Sequence, residues 1–269
     1  FWDECSAFHQ TDEVLQKIFY QLLHEKDEFC AFFRFVAHEN DGGDLERNIR
    51  DSFADLICSN ANLATCIEQY PIETAYCLAL IHCSDRYSIT PRWLLKHYPR
   101  VESIMATLRN KPCLTGCAYC DQALDIHRGL KRFFGFESYR RYAGEPLQEN
   151  AVRAAIEGKS ILVVFPTGGG KSLTFQLPAL MNAESTKGLT VVISPLQSLM
   201  KDQVDNLEKA GITDAVTING MLDPIERAKS YERVEDGSAS ILYISPESLR
   251  SATIERLILG RKIARFVID

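Results

Sequence analysis

No stretch of this 269-residue chain is apolar for long enough to span a bilayer, and no secretory signal opens it. A membrane partner is therefore not expected. Positive charge is not in excess either: 30 Lys and Arg against 36 Asp and Glu leave a net charge of −6. That balance excludes a globally basic nucleic-acid coat. It leaves room for a local basic groove, because binding follows the local field rather than the sum. Internal repeats and low-complexity tracts are also missing. Glycine is scarce at first, with only Gly42 and Gly43 in residues 1–110.

What fills that glycine-poor region is helical periodicity, for example Val14, Leu15, Ile18, Phe19, Leu22 and Leu23. Helices are expected over 11–37, 44–58, 72–82 and 91–109, with a turn at Asn40-Asp41-Gly42-Gly43 and breaks near Pro71, Pro91 and Pro99. From about residue 145 the pattern changes. Apolar runs at 161–165, 189–194, 214–218, 240–244 and 264–268 alternate with helical stretches, the mark of βαβ units and a parallel sheet. A helix over 196–210 should end at Gly211, and Asp223-Pro224 should cap and open the next. The expected division is a helical domain over 1–110, a cysteine knuckle and linker over 111–130, and an α/β domain over 131–269.

The α/β half carries the chemistry. Ile161 to Phe165 run into Pro166-Thr167-Gly168-Gly169-Gly170-Lys171-Ser172. Glycines let backbone N–H groups converge on a polyphosphate, a lysine reaches its terminal phosphates, and a serine hydroxyl can ligate Mg²⁺. Thr167, Gly168, Gly169, Gly170, Lys171 and Ser172 are thus the candidate ATP-binding residues. Phe165 stands where the strict Walker pattern has its first glycine. The run Phe266-Val267-Ile268 ends in Asp269, an apolar strand closed by a carboxylate that can hold the same Mg²⁺. Lys171 and Asp269 are the candidate catalytic pair. Between them, Ser194-Pro195 and Ser245-Pro246 each turn a strand into a helix. Amides and small hydroxyls at such turns can seat a phosphodiester.

These motifs, in this order, resemble the first motor domain of RecQ-family helicases of the DEAH type. Pro166 to Ser172 is similar to motif I, Ser194 to Val204 to motif Ia, Tyr243 to Glu247 to a later DNA-contact motif, and Phe266 to Asp269 to the start of the DEAH box. The resemblance implies a RecA-like sheet, here incomplete, and ATP-driven movement along single-stranded or forked DNA in the 3′ to 5′ direction. An RNA helicase, a translocase that separates no strands, and an N-terminal nucleic-acid or partner-binding module are the alternatives. Phe134 to Arg140 and Leu147 to Val152 resemble the two halves of the family's motif 0, which implies that Gln148, with Arg140, frames the adenine. The link between them, Arg141 to Pro146, is longer than usual for the family. The resemblance also implies a water-activating Glu after Asp269 and a second motor domain. Residues 1–269 alone are accordingly expected not to turn ATP over.

Nine cysteines include Cys113-x3-Cys117-x2-Cys120 in eight residues. A phosphate-binding ATPase points to the reducing cytoplasm, where such a cluster holds metal more often than disulfides. Three thiolates leave a tetrahedral ion one ligand short. Cys83 is the first choice for the fourth, ahead of His127, with Cys77 and His82 as further candidates. Structural Zn²⁺ is the leading reading, with a [4Fe–4S] cluster or plain thiols as the alternatives.

Overall fold

The computed structural model describes residues 45–83, 92–109, 113, 116–220 and 222–269. The helix expected over 11–37 and the turn at Asn40 to Gly43 lie outside the described residues. The first half is helical: α1 Leu45–Ser52, α2 Leu63–Gln69, α3 Pro71–Cys83, α4 Arg92–His97, α5 Arg100–Arg109, α6 Ala118–Ala123 and α7 Ile126–Phe134. The single helix expected over 91–109 is broken into α4 and α5 at Tyr98-Pro99. A residue before proline is pushed out of the α region, and proline has no N–H to continue the ladder. Helix α3 buries Ala75, Tyr76, Cys77, Leu78, Ala79 and Ile81, so its apolar character runs right round it. It forms the axis of a core that also holds Phe53, Leu63 and Leu108.

The second half alternates as the sequence predicts: α8 Leu147–Ile156, α9 Leu173–Thr186, β1 Leu189–Ile193, α10 Gln197–Lys209, β2 Ala215–Ile218, α11 Pro224–Glu235, β3 Ile241–Ile244, α12 Ala252–Leu259 and β4 Ile263–Ile268. Asp223 caps α11 by accepting from the Ile225 and Glu226 amides, both at 2.8 Å. Gly211 follows α10 in the left-handed region, at φ +79°. The sheet is parallel, in the order β2-β3-β1-β4. Its inner strands are buried almost throughout, as in a sheet covered on both faces.

The run 161–165 departs from expectation. It belongs to no strand, and Leu162 and Val164 are 92% and 80% exposed. Strand β4 lies at the sheet's edge with Phe266 and Ile268 also exposed. An apolar run makes a strand only where a ladder partner meets its amides, and among the described residues none does.

The halves are joined by a buried ion pair. Arg261, just before β4, meets Glu102 of α5 with 2.8 Å between Nη2 and Oε1, and the two side chains are 1% and 2% exposed. The other carboxylate oxygen accepts from the Lys262 amide at 3.0 Å. Arg109, at the end of α5, donates to the Ser185 carbonyl of α9 at 3.3 Å.

Candidate nucleotide site and cysteine centre

The glycine loop over 166–172 opens α9. Gly168 and Gly170 both stand at φ +73° around Gly169, whose amide closes the turn on the Pro166 carbonyl at 2.9 Å, so the Gly170 and Lys171 amides are the ones left to form an anion site. The partial positive charge of the helix start adds to it. Thr167 and Lys171 are exposed at this mouth. Ser172 is held from behind: its hydroxyl accepts from Gln203 Nε2 at 3.1 Å. Gln203 Oε1 accepts from Gln176 at 2.8 Å, and Gln176 donates also to the Tyr243 hydroxyl at 3.0 Å. Burial pushes the Tyr243 phenol up to about 12, and the charge of Asp269 adds to the rise. The chain Ser172, Gln203, Gln176, Tyr243 therefore runs from the loop to the neighbourhood of Asp269. Gln176 and Tyr243 were not singled out as site residues from the sequence, because a glutamine on an apolar helix and a tyrosine in a strand look like packing.

Register sets the second feature. Ile193 is paired with Ile244 on one side and Ile268 on the other. The next residues, Ser194, Ser245 and Asp269, therefore form a row at the C-terminal edge of three adjacent strands. The amides of Ser194 and Asp269 extend the ladder, to Ile244 and Ile193 carbonyls at 3.0 Å each. Ser194 Oγ is buried without a hydrogen-bond partner, and Ser245 Oγ lies 3.0 Å from Ser248 Oγ. Pro195 and Pro246 are exposed beside them.

The segment 139–148 lies against the loop. Arg140 donates to the Gly168 carbonyl at 2.8 Å, and Gln148 donates to the Gly170 carbonyl at 3.0 Å. Gln148 Oε1 accepts from the Arg140 amide at 2.9 Å, and the side chain is buried. As placed, Gln148 spends both ends of its amide on the backbone. Tyr142, from the long link, donates to the Gly169 carbonyl, and its ring stacks on Phe165 at 4.5 Å.

The cysteine centre assembles Cys113, Cys117 and Cys120 with Cys58, all four sulfurs within 4.8 Å of one another. Cys58 follows α1, where its amide donates to the Leu108 carbonyl at 2.8 Å, and Arg109 Nε donates to Leu56 O at the same distance. Those two contacts carry Cys58 to the knuckle. Cys117 Sγ accepts from the Cys120 amide at 3.3 Å. The sequence reading missed Cys58, since 54 residues separate it from Cys113 and no spacing motif links them. The Cys83 and His82 side chains lie outside the described residues. Cys77 is buried in the helical core, and His127 is bonded to Glu149 at 3.1 Å. The donor set fits one tetrahedral ion: a Zn–S bond of about 2.3 Å sets its thiolates roughly 3.8 Å apart. A four-iron cube, with each thiolate on its own iron, holds them farther apart.

No helix among the described residues is long and apolar enough to cross a membrane. Residues 145–269 match the DEAD/DEAH box helicase family. The chain is 40% identical over 148 residues to the ATP-dependent DNA helicase RecQ of Bacillus subtilis, which covers 54% of this chain and 23% of that protein. RecQ of Haemophilus influenzae is also 40% identical over 140 residues, 52% of this chain and 21% of the relative. The ATP-dependent helicase SGS1 of Saccharomyces cerevisiae is 40% identical over 130 residues, 46% of this chain and 9% of its own. The chain thus spans less than a quarter of the length of these relatives.

Proposed function

We propose that residues 145–269, which match the DEAD/DEAH box helicase family and are similar to RecQ helicases, are the ATP-binding part of a motor that moves along DNA and separates its strands. The observation that carries this reading is the placing of the loop, Ser172 and Asp269 around one network at the sheet's edge. Lys171 would meet the terminal phosphates, while Ser172 and Asp269 would hold Mg²⁺, whose charge offsets that of the phosphates. We assign the adenine to the side of the 134–148 segment, where Arg140 is exposed and Gln148 borders the loop. The row of Ser194 and Ser245, with Pro195 and Pro246, is the proposed seat of a single-stranded or forked DNA backbone.

The four thiols are assigned to structural Zn²⁺, which would tie α1 to the knuckle. The proposed boundary at 111–130 rests on the separate cores: one centred on α3, and others around the sheet and around Ile126, Leu130 and Val152. ATP hydrolysis by the full-length protein, with and without single-stranded DNA, tests the motor reading. Stimulation by DNA that disappears in Lys171→Ala is the expected result. Stimulation by RNA but not DNA would replace the substrate assignment, and hydrolysis indifferent to Lys171 would remove the motor.

A further inference from the structure

Three consecutive carbonyls of the phosphate loop are each held by one neighbouring segment. Gly168 O accepts from Arg140, Gly169 O from the Tyr142 hydroxyl and Gly170 O from Gln148. In a planar peptide the C=O and the following N–H point opposite ways. Holding those carbonyls therefore fixes where the amides of Gly169, Gly170 and Lys171 point. The Gly169 amide is already used in the turn, donating to Pro166 O at 2.9 Å. That leaves the Gly170 and Lys171 amides to be aimed, and the Gly170 amide shares its peptide with the carbonyl that Tyr142 holds.

Tyr142 is itself fixed on two sides. Its backbone and that of Glu145 exchange hydrogen bonds at 2.9 Å each, closing the 142–145 turn. Its ring lies on Phe165 at 4.5 Å and 17°, immediately before Pro166. A run of three glycines is otherwise free to turn its peptides over, because nothing but backbone limits φ. The packing leaves no slack: a Cβ on Gly170 would stand 2.7 Å from Gln148 Nε2, and one on Gly169 would stand 2.7 Å from Pro166 O.

We propose that Tyr142 is a positioning residue for phosphate binding: its hydroxyl holds the Gly169–Gly170 peptide so that the Gly170 amide faces the polyphosphate. The proposal rests on the nucleotide-binding reading of the loop and adds a residue from the link 141–146. Its effect is on the phosphates and not on the base, so every ligand carrying the same polyphosphate feels it alike.

The test is titration of the full chain with Mg-ATP and with Mg-tripolyphosphate, each displacing a fluorescent ATP analogue, in wild type, Tyr142→Phe, Tyr142→Ala and Lys171→Ala. Tyr142→Phe keeps the ring on Phe165 and removes one hydrogen bond, and is expected to weaken both ligands by the same factor, about fivefold. Tyr142→Ala should weaken both further, and the melting temperature of the unliganded Tyr142→Phe protein should fall by no more than about 4 °C. Unchanged affinity in Tyr142→Phe overturns the proposal, as does a loss confined to ATP, which would make Tyr142 a base contact. Binding that does not depend on Lys171 would instead count against the nucleotide-site reading itself.

Discussion

Replacing Glu102 with glutamine should destabilise the fold far more than a single surface charge would. The guanidinium of Arg261 has no solvent on it: its side chain is 1% exposed, and its donors are spent on Glu102, Val234 O, Ala239 O and Lys187 O. The Lys187 side chain is buried close by, and its charge and that of Arg261 repel. Glu102 is the carboxylate bonded to this guanidinium. Removing one partner of a buried, hydrogen-bonded pair costs about 3–5 kcal/mol, because the other charge is left uncompensated in low dielectric. Glutamine has the same shape, but its NH₂ would face either Arg261 or the Lys262 amide, donor against donor. Urea unfolding followed by circular dichroism should show a midpoint lowered by 1 M or more, taking a slope of about 2 kcal/mol per molar. The double variant Glu102→Leu with Arg261→Met should cost less than either single change, since the desolvation penalty goes with the pair. A loss below about 1 kcal/mol in Glu102→Gln would refute the reasoning.

Three further outcomes are expected. Burial, helped by Arg261, pulls Lys187 down from 10.5 to about 7, so between these values the unfolded chain binds a proton that the folded chain does not. Stability from this group should then rise with pH across that window, by at most about 1.4 kcal/mol per unit, and a Lys187→Met variant should show a flatter profile over the same range. Purified full-length protein should give one zinc at the 58/113/117/120 centre by elemental analysis. A Cys58→Ser variant should release that metal to a chelator that leaves wild type loaded; equal retention would remove Cys58 from the site. Gln203→Ala should weaken Mg-ATP binding by up to about tenfold through the lost hydrogen bonds to Ser172 and Gln176, and an unchanged affinity would show that the network does not set Ser172.

The parts of this molecule legible in its sequence are those whose cause is local. The cap at Asp223-Pro224, the left-handed Gly211 and the parallel strands all follow from residue type and period, and the turn at Gly168 to Gly170 from the conformational freedom of glycine. The row of Ser194, Ser245 and Asp269 was half legible: each turn could be seen, but their alignment is a matter of register. What escaped depends on residues far apart in the chain. Cys58 reaches its partners only because the Leu108 carbonyl and Arg109 draw the end of α1 across, and Glu102 finds Arg261 from 159 residues away. Tyr142 looked like filler in an overlong link. Residues 161–165 show the converse error, since a run can be apolar enough for a strand and still lack a neighbour to pair with.

The central claim is that the amides of this loop and Lys171 grip the phosphates of ATP beside a Mg²⁺ held by Ser172 and Asp269. Isothermal titration of the 269-residue chain with ATP, with and without Mg²⁺, in wild type, Lys171→Ala and Asp269→Asn, tests it most directly. Saturable one-to-one binding, weakened at least tenfold by Lys171→Ala and losing its Mg²⁺ dependence in Asp269→Asn, is the predicted result. Equal binding by all three proteins would contradict it.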